Sequence, residues 1–447
     1  SKVMGMALAR SLRMRDLVIM GLLFIGPAAP VGLFGTLDAT SGGVVPLVYV
    51  VATVVMGFTA WSYALMSRAV PNAGAVYAYT REGINPRVGF IAGWIILLDY
   101  LFIPAVAYLF SGISLNALVP SVPVWAWTLL AVVATTALNL TGLHKTRKVT
   151  MTVLIAEVIV LALILAGGLW VLWQQGFNRP LLAPFIGIDG VNSSTVLTGV
   201  SVAVLSYLGF DAISTFAEEN QGSRNQPGRA TMWCLILAGV LFVAQTWLGA
   251  LLSPWDSQTL QQQPELQGKA YYVIVGDAIS PWLGDALAFV KALGAAFSAM
   301  VGQAAAGRLL FSMGRAGALS GSLSQIGKRS GLPVTALLAA AAVNTVLAVI
   351  AASVDNGLSH LVSFVDVGAI CGFILLHCSV IGLFLVKQRQ RSLRSLLACG
   401  LMPLFGIAVL VPVLFHIHAP ALVAGALWLV VGLVVLWRRQ GHATAAF

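Results

Sequence analysis

The chain has 447 residues, of which 59% are apolar and 9% are Lys, Arg, Asp or Glu, against about 25% charged in soluble proteins. That balance excludes a single water-soluble domain. The formal charge of +10 is a topology signal rather than a nucleic-acid footprint, because the basic residues sit between apolar runs.

A hydrocarbon core about 30 Å thick takes about 20 helical residues. Twelve runs of about that length follow one another: 17–37, 44–66, 88–111, 123–140, 149–173, 195–216, 230–252, 282–313, 333–354, 357–385, 396–415 and 419–437. The expected fold is an all-α integral membrane protein with twelve transmembrane helices in a lipid bilayer. Leu17 opens a first membrane helix rather than a cleaved leader. With the N-terminus inside, 22 of the 25 Lys and Arg residues fall on the inner face, from Lys2, Arg10, Arg13 and Arg15 to Arg438 and Arg439. Arg179, Lys269 and Lys291 remain for the outer face or the membrane. Cytoplasmic loops retain positive charge, so both termini are expected in the cytoplasm.

The first run is interrupted by Ile25-Gly26-Pro27-Ala28-Ala29-Pro30-Val31-Gly32. Such residues are tolerated in a bilayer only where protein or a water-filled cavity satisfies the freed backbone. The third run carries Asp99 and Tyr100, a counter-charge or gate on one reading and a helix-end cap or packing pair on the other. The fifth carries Glu157, about one turn inside the membrane from the basic Lys145-Thr146-Arg147-Lys148 loop, with pairing to a nearby base as its alternative. The sixth breaks at Ser206-Tyr207-Leu208-Gly209-Phe210-Asp211. Five spans separate the two interrupted runs, so the two halves insert with opposite orientation. This is the pattern of an inverted five-plus-five repeat with a midplane site, residues 1–173 forming helices 1–5 and 174–385 helices 6–10, with 386–447 adding two helices and a tail. Unwound backbone offers carbonyls to a cation, and half-helix N-termini attract an anion.

The outer loop around 253–280, with Pro254, a QQQ run, Tyr271 and Tyr272, reads as an ordered cap or gate. The eighth run holds Lys291, the only clear intramembrane base, and the polar candidates Ser298 and Gln303, for which interhelical hydrogen bonding is the alternative. The tenth holds Asp366, and His377 beside Cys378, read as lipid-facing or packing. An Asp at a helix centre costs about 2.5 to 3.5 kcal/mol, so Asp99, Glu157, Asp211 and Asp366 call for compensation that one lysine cannot supply. The imbalance favours a cationic substrate, a proton, or both. Asp211 follows the break directly; burial disfavours its charged form and an arriving ammonium favours it, so occupancy and protonation are coupled. Its alternative is to accept hydrogen bonds from unwound backbone. Phe24, Tyr100, Tyr207 and Phe210 are candidates to box an ammonium, a contact worth about 1 to 2 kcal/mol when desolvated, with packing as the alternative for each.

Cys234, Cys371, Cys378 and Cys399 have no CxxC spacing and are expected to pack, without a disulfide or zinc site. No metal or cofactor is implied. No HExxH, GxSxG or paired His/Asp pattern suggests an enzyme, and no continuous polar stripe or repeated filter loop suggests a channel.

The segment Ser206–Glu219, SYLGFDAISTFAEE, resembles the sixth-helix signature of the amino acid-polyamine-organocation superfamily of transporters. Pro71-Asn72-Ala73-Gly74 with Tyr77 and Tyr79, Gly89-Phe90-Ile91-Ala92-Gly93-Trp94 leading into Leu98-Asp99-Tyr100-Leu101, and Arg308-Leu309-Leu310-Phe311-Ser312-Met313-Gly314-Arg315 extend the resemblance over nearly the whole chain. It is strongest to the bacterial putrescine-importer branch. The stretch Gly21–Pro27 departs from the GSGIF-like run common in amino-acid antiporters, and the NQGSRNQPGRA loop keeps only a trace of the usual basic, proline-containing pattern.

The resemblance implies a LeuT-like fold with broken first and sixth helices. In such a fold runs one, two, six and seven rock against three, four, eight and nine. Substrate contacts are expected from Phe24, Ile25, Gly26, Pro27, Ala28, Asp99, Tyr100, Tyr207, Gly209, Phe210, Asp211, Ser298, Gln303 and Asp366, the last flanking the central cavity. Asp211, Asp99 and Glu157 are expected to couple transport to an ion. In relatives the position of Glu157 approaches the sodium site of sodium-coupled members, so an acid there suits a proton or sodium. The expected activity is proton-coupled secondary transport of a putrescine-like amine across the cytoplasmic (inner) membrane, with sodium as the alternative ion. The alternative substrate is a cationic or neutral amino acid, moved by a permease or exchanger.

Overall fold

The computed structural model describes residues 7–354 and 357–444; Lys2 lies outside the described residues. Among these, eleven segments are long and apolar enough to cross a membrane, and a shorter apolar helix makes a twelfth. In chain order they are α1 (Met14–Gly32), α2 (Val45–Ala69), α3 (Pro86–Asn116), α4 (Val124–Asn139), α5 (Arg147–Gln175), α6 (Ser193–Glu219), α7 (Gln226–Leu252), α8 (Pro281–Arg315), α9 (Val334–Ser353), α10 (His360–Lys387), α11 (Leu393–Phe415) and α12 (Ala419–Gln440). Each expected run coincides with one of them. Among the described residues the β contact is a single bridge between Leu12 and Asn220.

One joint was missed in the sequence. Within α3 one helix ends at Tyr100 and the next begins at Phe102. Pro104 explains it, since it has no N–H for the carbonyl of Tyr100 and its ring crowds that oxygen. Asn344 of α9 donates to Leu101 O at the joint (2.7 Å), one way membrane proteins satisfy a carbonyl released from a helix.

The long α8 runs through the middle, buried from Ala299 to Gly314, and packs against α1, α3, α5 and α9; α7 packs along α2. Large apolar side chains such as Val54, Val133, Trp170, Val240 and Leu427 face outward, as a hydrocarbon surround favours. The last helix, α12, buries little of its surface and is fastened to α3 by two indoles. Trp94 Nε1 donates to Trp428 O (2.9 Å), Trp428 Nε1 donates to Trp94 O (2.7 Å), and the rings stack at 4.4 Å.

The N-terminal segment and the end of α12 meet the same connection between α8 and α9: Ala9 N–H donates to Gly331 O (3.2 Å), and Arg439 donates to Gly317 O and Ala318 O. They thus share one side of the bundle, here the N-terminal face. On the opposite face, residues 253–280 form the short helices Ser257–Gln262, Pro264–Gln267 and Ala270–Ala278. Gln261 Nε2 donates to Ala39 O (2.7 Å), which ties this ordered cap to the short helix Phe34–Ser41 that follows α1.

His377 is fully buried, which corrects the lipid-facing alternative: its Nδ1 lies 2.7 Å from Ser62 Oγ of α2. The four cysteines are free, two buried and two partly so.

Candidate functional site

Both interrupted runs are interrupted in space. The helix Met14–Ile25 stops at Gly26 (φ 81°), and the chain resumes as the short turn Ala29–Gly32 and the helix Phe34–Ser41. Pro27 disfavours helical backbone at the residue before it and cannot donate to Leu23 O. In α6 the helix Ser193–Tyr207 stops, Leu208 is extended, and Gly209 (φ 123°) opens a tight 3₁₀ stretch, Phe210–Glu219. The breaks touch. A side-chain carbon on Gly209 would lie 2.7 Å from Phe24 Cγ and 3.0 Å from Ile25 N, so a residue without Cβ is required there twice over, by φ and by space.

The freed carbonyls of the first break are taken by side chains of α7 and α8. Lys291 Nζ donates to Ala28 O (2.8 Å) and Ala29 O (3.4 Å), Ser298 Oγ to Phe24 O (2.5 Å), and Gln245 Nε2 to Pro27 O (2.9 Å). Gly209 N–H donates to Asp211 Oδ1 (3.1 Å). Lys291, Gly294 and Ser298 lie on one face of α8, at the spacing of successive turns. Gly294 admits the carboxyl of Glu157 from α5, and Glu157 and Lys291 attract one another there.

Beside the breaks is a cavity of about 310 Å³. Of the expected site residues it is lined by Phe24, Ile25, Gly26, Ala28, Ser298 and Glu157, joined by Lys291 and Ser206. In α3, α6 and α10 the lining is displaced toward the opposite face. It takes Ile103, Pro104, Val106, Ala107 and Phe110 of α3, beyond Tyr100; Leu205, Ser206 and Leu208 of α6, ahead of Asp211; and Leu358 and Val362, ahead of Asp366. Phe24 forms its floor, wedged against Gly209 and Gly302.

Below that floor, off the cavity, lie three carboxyls. Asp99 and Asp211 are 1% exposed and Asp366 9%. Asp211 Oδ2 accepts from Tyr100 Oη (2.9 Å). Asp99 interacts electrostatically with both Asp211 and Asp366, and Gly368 seats α10 directly on the backbone of Asp99. Among the described residues Asp99 Oδ2 and Asp366 Oδ1 have no hydrogen-bond partner. None of the ion pairs among the described residues includes any of the three acids.

The remaining candidates lie elsewhere. Tyr207 turns toward α2, donating to Tyr49 O (3.0 Å) and meeting Thr53 Oγ1 at 2.5 Å. Phe210 packs edge-on against Tyr63 and beside Phe373. Gln303 bonds to Asn139 (2.8 Å) and Thr136 of α4. Of the four aromatics expected to box an ammonium, Phe24 alone lines the cavity. The clamping of the first break by Lys291 and Gln245 was missed; a base and an amide inside apolar runs were the available signal.

The N-terminal face is closed beneath the carboxyls. Leu12 N–H donates to Glu219 O, and Gln221 N–H to Leu12 O (both 2.8 Å). Arg308, 1% exposed, makes two bonds of 2.8 Å to Glu219, and Arg315 pairs with Glu218. Asp16 lies 3.6 Å from Arg147 and 3.4 Å from His144. On the opposite face Arg179 makes a two-pronged bond to Asp38 (2.9 and 2.8 Å).

Comparison with known proteins agrees with this architecture. The family model described as "Amino acid permease" matches residues 17–444. The low-affinity putrescine importer PlaP of Escherichia coli (strain K12) is 28% identical over 434 residues, covering 96% of this chain and 93% of the importer. The branched-chain amino acid permease BcaP of Bacillus subtilis (strain 168) is 25% identical over 456 residues, covering 96% and 92%. Cationic amino acid transporter 2, vacuolar, of Arabidopsis thaliana is 25% identical over 423 residues, covering 88% of this chain and 62% of the plant protein.

Proposed function

The chain belongs to the amino acid permease family and is a secondary transporter of polyamines or amino acids; from there we propose that it imports a small cationic amine of the putrescine kind, coupled to protons. It is a multi-pass membrane protein and a transporter, not an enzyme.

The observation that carries this reading is the burial of Asp99, Asp211 and Asp366 together with no ion-pair partner among the described residues. Three ionised carboxyls in so apolar a place are too costly to persist. Protons neutralise them when the site is empty, and an ammonium replaces protons when it is filled, so binding and proton release are linked. The amine enters the cavity from the opposite face, reaches Phe24, and engages the carboxyls as that floor moves. Rocking of α1, α2, α6 and α7 against α3, α4, α8 and α9 then opens the N-terminal face. The inverted repeat, 1–173 against 174–385, is supported by the matched breaks at Gly26 and Gly209. The positive charge concentrated on the N-terminal face supports cytoplasmic termini in the inner membrane. Lys291 already takes two carbonyls of the first break, which favours the proton over sodium there.

A second reading has its own observation. Glu157 and Lys291, a carboxyl and an amine, line one cavity, which suits a zwitterionic amino acid. Uptake of labelled putrescine, arginine and alanine into proteoliposomes, under an imposed proton or sodium gradient, separates the readings. Putrescine uptake driven by protons supports the first. Alanine uptake without putrescine uptake supports the second, and strict dependence on sodium overturns the proton assignment.

A further inference from the structure

A second built pocket, of about 320 Å³, lies on the N-terminal face where the α2–α3 connection, the end of α8 and the last turns of α12 meet. Three guanidinium groups line it, Arg81, Arg87 and Arg439. Arg81 lies over the ring of Tyr77 (5.3 Å) and Arg439 over that of Phe90 (5.7 Å), so aromatic faces hold both in place. Arg439 also spends two donors on Gly317 O and Ala318 O. Arg81 Nε is 3.6 Å from Glu82, a carboxylate half open to solvent. Arg87 is exposed and in no ion pair among the described residues.

The helix that begins at Pro86 starts on this pocket, capped by Asn85, whose side chain accepts from Val88 N–H (2.9 Å). Its positive end adds to the attraction for an anion. The walls are apolar, with Pro86, Phe90 and Leu436 among them. From the rim runs the lipid-facing strip of α12, with Val430, Leu433, Val434 and Trp437 exposed.

We propose that this pocket binds the phosphate of an anionic phospholipid, its headgroup held by Arg81 and Arg87 and its acyl chains laid along α12. Guanidinium forks match phosphate oxygens, and basic pockets between helices at the cytoplasmic surface are suited to acidic headgroups. A free phosphate has the same headgroup chemistry but no use for the apolar strip.

The test uses the full chain, stripped of lipid in detergent and exposed to phosphatidylcholine with or without phosphatidylglycerol. Native mass spectrometry counts retained lipid, and thermal unfolding reads its effect. The expected result is selective retention of phosphatidylglycerol, reduced about tenfold or more in the Arg81→Gln/Arg87→Gln double variant, the scale of losing charged hydrogen bonds, and unchanged in Arg224→Gln, an exposed arginine elsewhere on the same face. Equal retention by the double variant overturns the proposal, as does an equal loss in Arg224→Gln, which would mean general charge attraction. Displacement of the lipid by inorganic phosphate, or the same thermal shift from phosphate alone, also overturns it in favour of a soluble anion.

Discussion

Lys291 Nζ lies 2.8 Å from Ala28 O, so a side chain of α8 completes the hydrogen bonding that the broken first helix cannot complete for itself. The same ammonium is the counter-charge of Glu157. Lys291→Met takes the donor from both carbonyls and the nearby base from Glu157, and is expected to cost about 1–3 kcal/mol. Glu157→Gln/Lys291→Met should regain part of that loss. Thermal unfolding of the purified proteins checks it: a double variant no more stable than Lys291→Met would show that Glu157 is not what the lysine compensates.

Gly209→Ala places a methyl group against Phe24 in a backbone conformation that costs about 1–3 kcal/mol for a residue with a side chain. Uptake should fall about tenfold or more. Gly57→Ala, on α2 where nothing lies within 4 Å of the added carbon, should transport normally. Comparable losses in both would remove the special status of the α6 break.

Asp211→Asn keeps an oxygen to accept from Gly209 N–H and turns an NH₂ toward Tyr100, whose hydroxyl can accept from it, so folding should persist. Loss of a buried charge partner, worth about 2 kcal/mol or more, should lower proton-driven amine uptake about thirtyfold. Tyr100→Phe removes one hydrogen bond to that carboxyl and should have a smaller effect, about tenfold. Uptake with unchanged dependence on the proton gradient in Asp211→Asn would sink the coupling role.

Arg308→Met strands Glu219 in the interior, and Arg179→Met strands Asp38; each should lower stability by about 3–5 kcal/mol. Arg81, a quarter exposed, pairs at 3.6 Å with the half-exposed Glu82, and Arg81→Gln should change stability by about 1 kcal/mol or less. A chemical-denaturation series ranks the three, and an Arg308→Met protein as stable as the parent would deny the closure of the N-terminal face its energetic basis.

The breaks were legible in the sequence because their cause is local: Gly26, Pro27 and Gly209 act on their own backbone. The acids were legible because charge inside an apolar run needs no structure to be noticed. Which groups meet was harder. Tyr207 and Asp211 are separated by the Gly209 turn, which sends the phenol toward α2 and the carboxyl toward Tyr100. Gln303 and Ser298 share α8 yet face different helices, α4 and α1. The joint at Leu101 was readable from Pro104, a proline inside a run expected to be continuous.

The paired indoles of Trp94 and Trp428 bear on how the chain is made. Until α12 docks, Trp94 must present its indole N–H to lipid or to a substitute acceptor. Docking of α12 therefore closes a two-point clasp, and near-ultraviolet dichroism from the stacked rings would give a clock for that event.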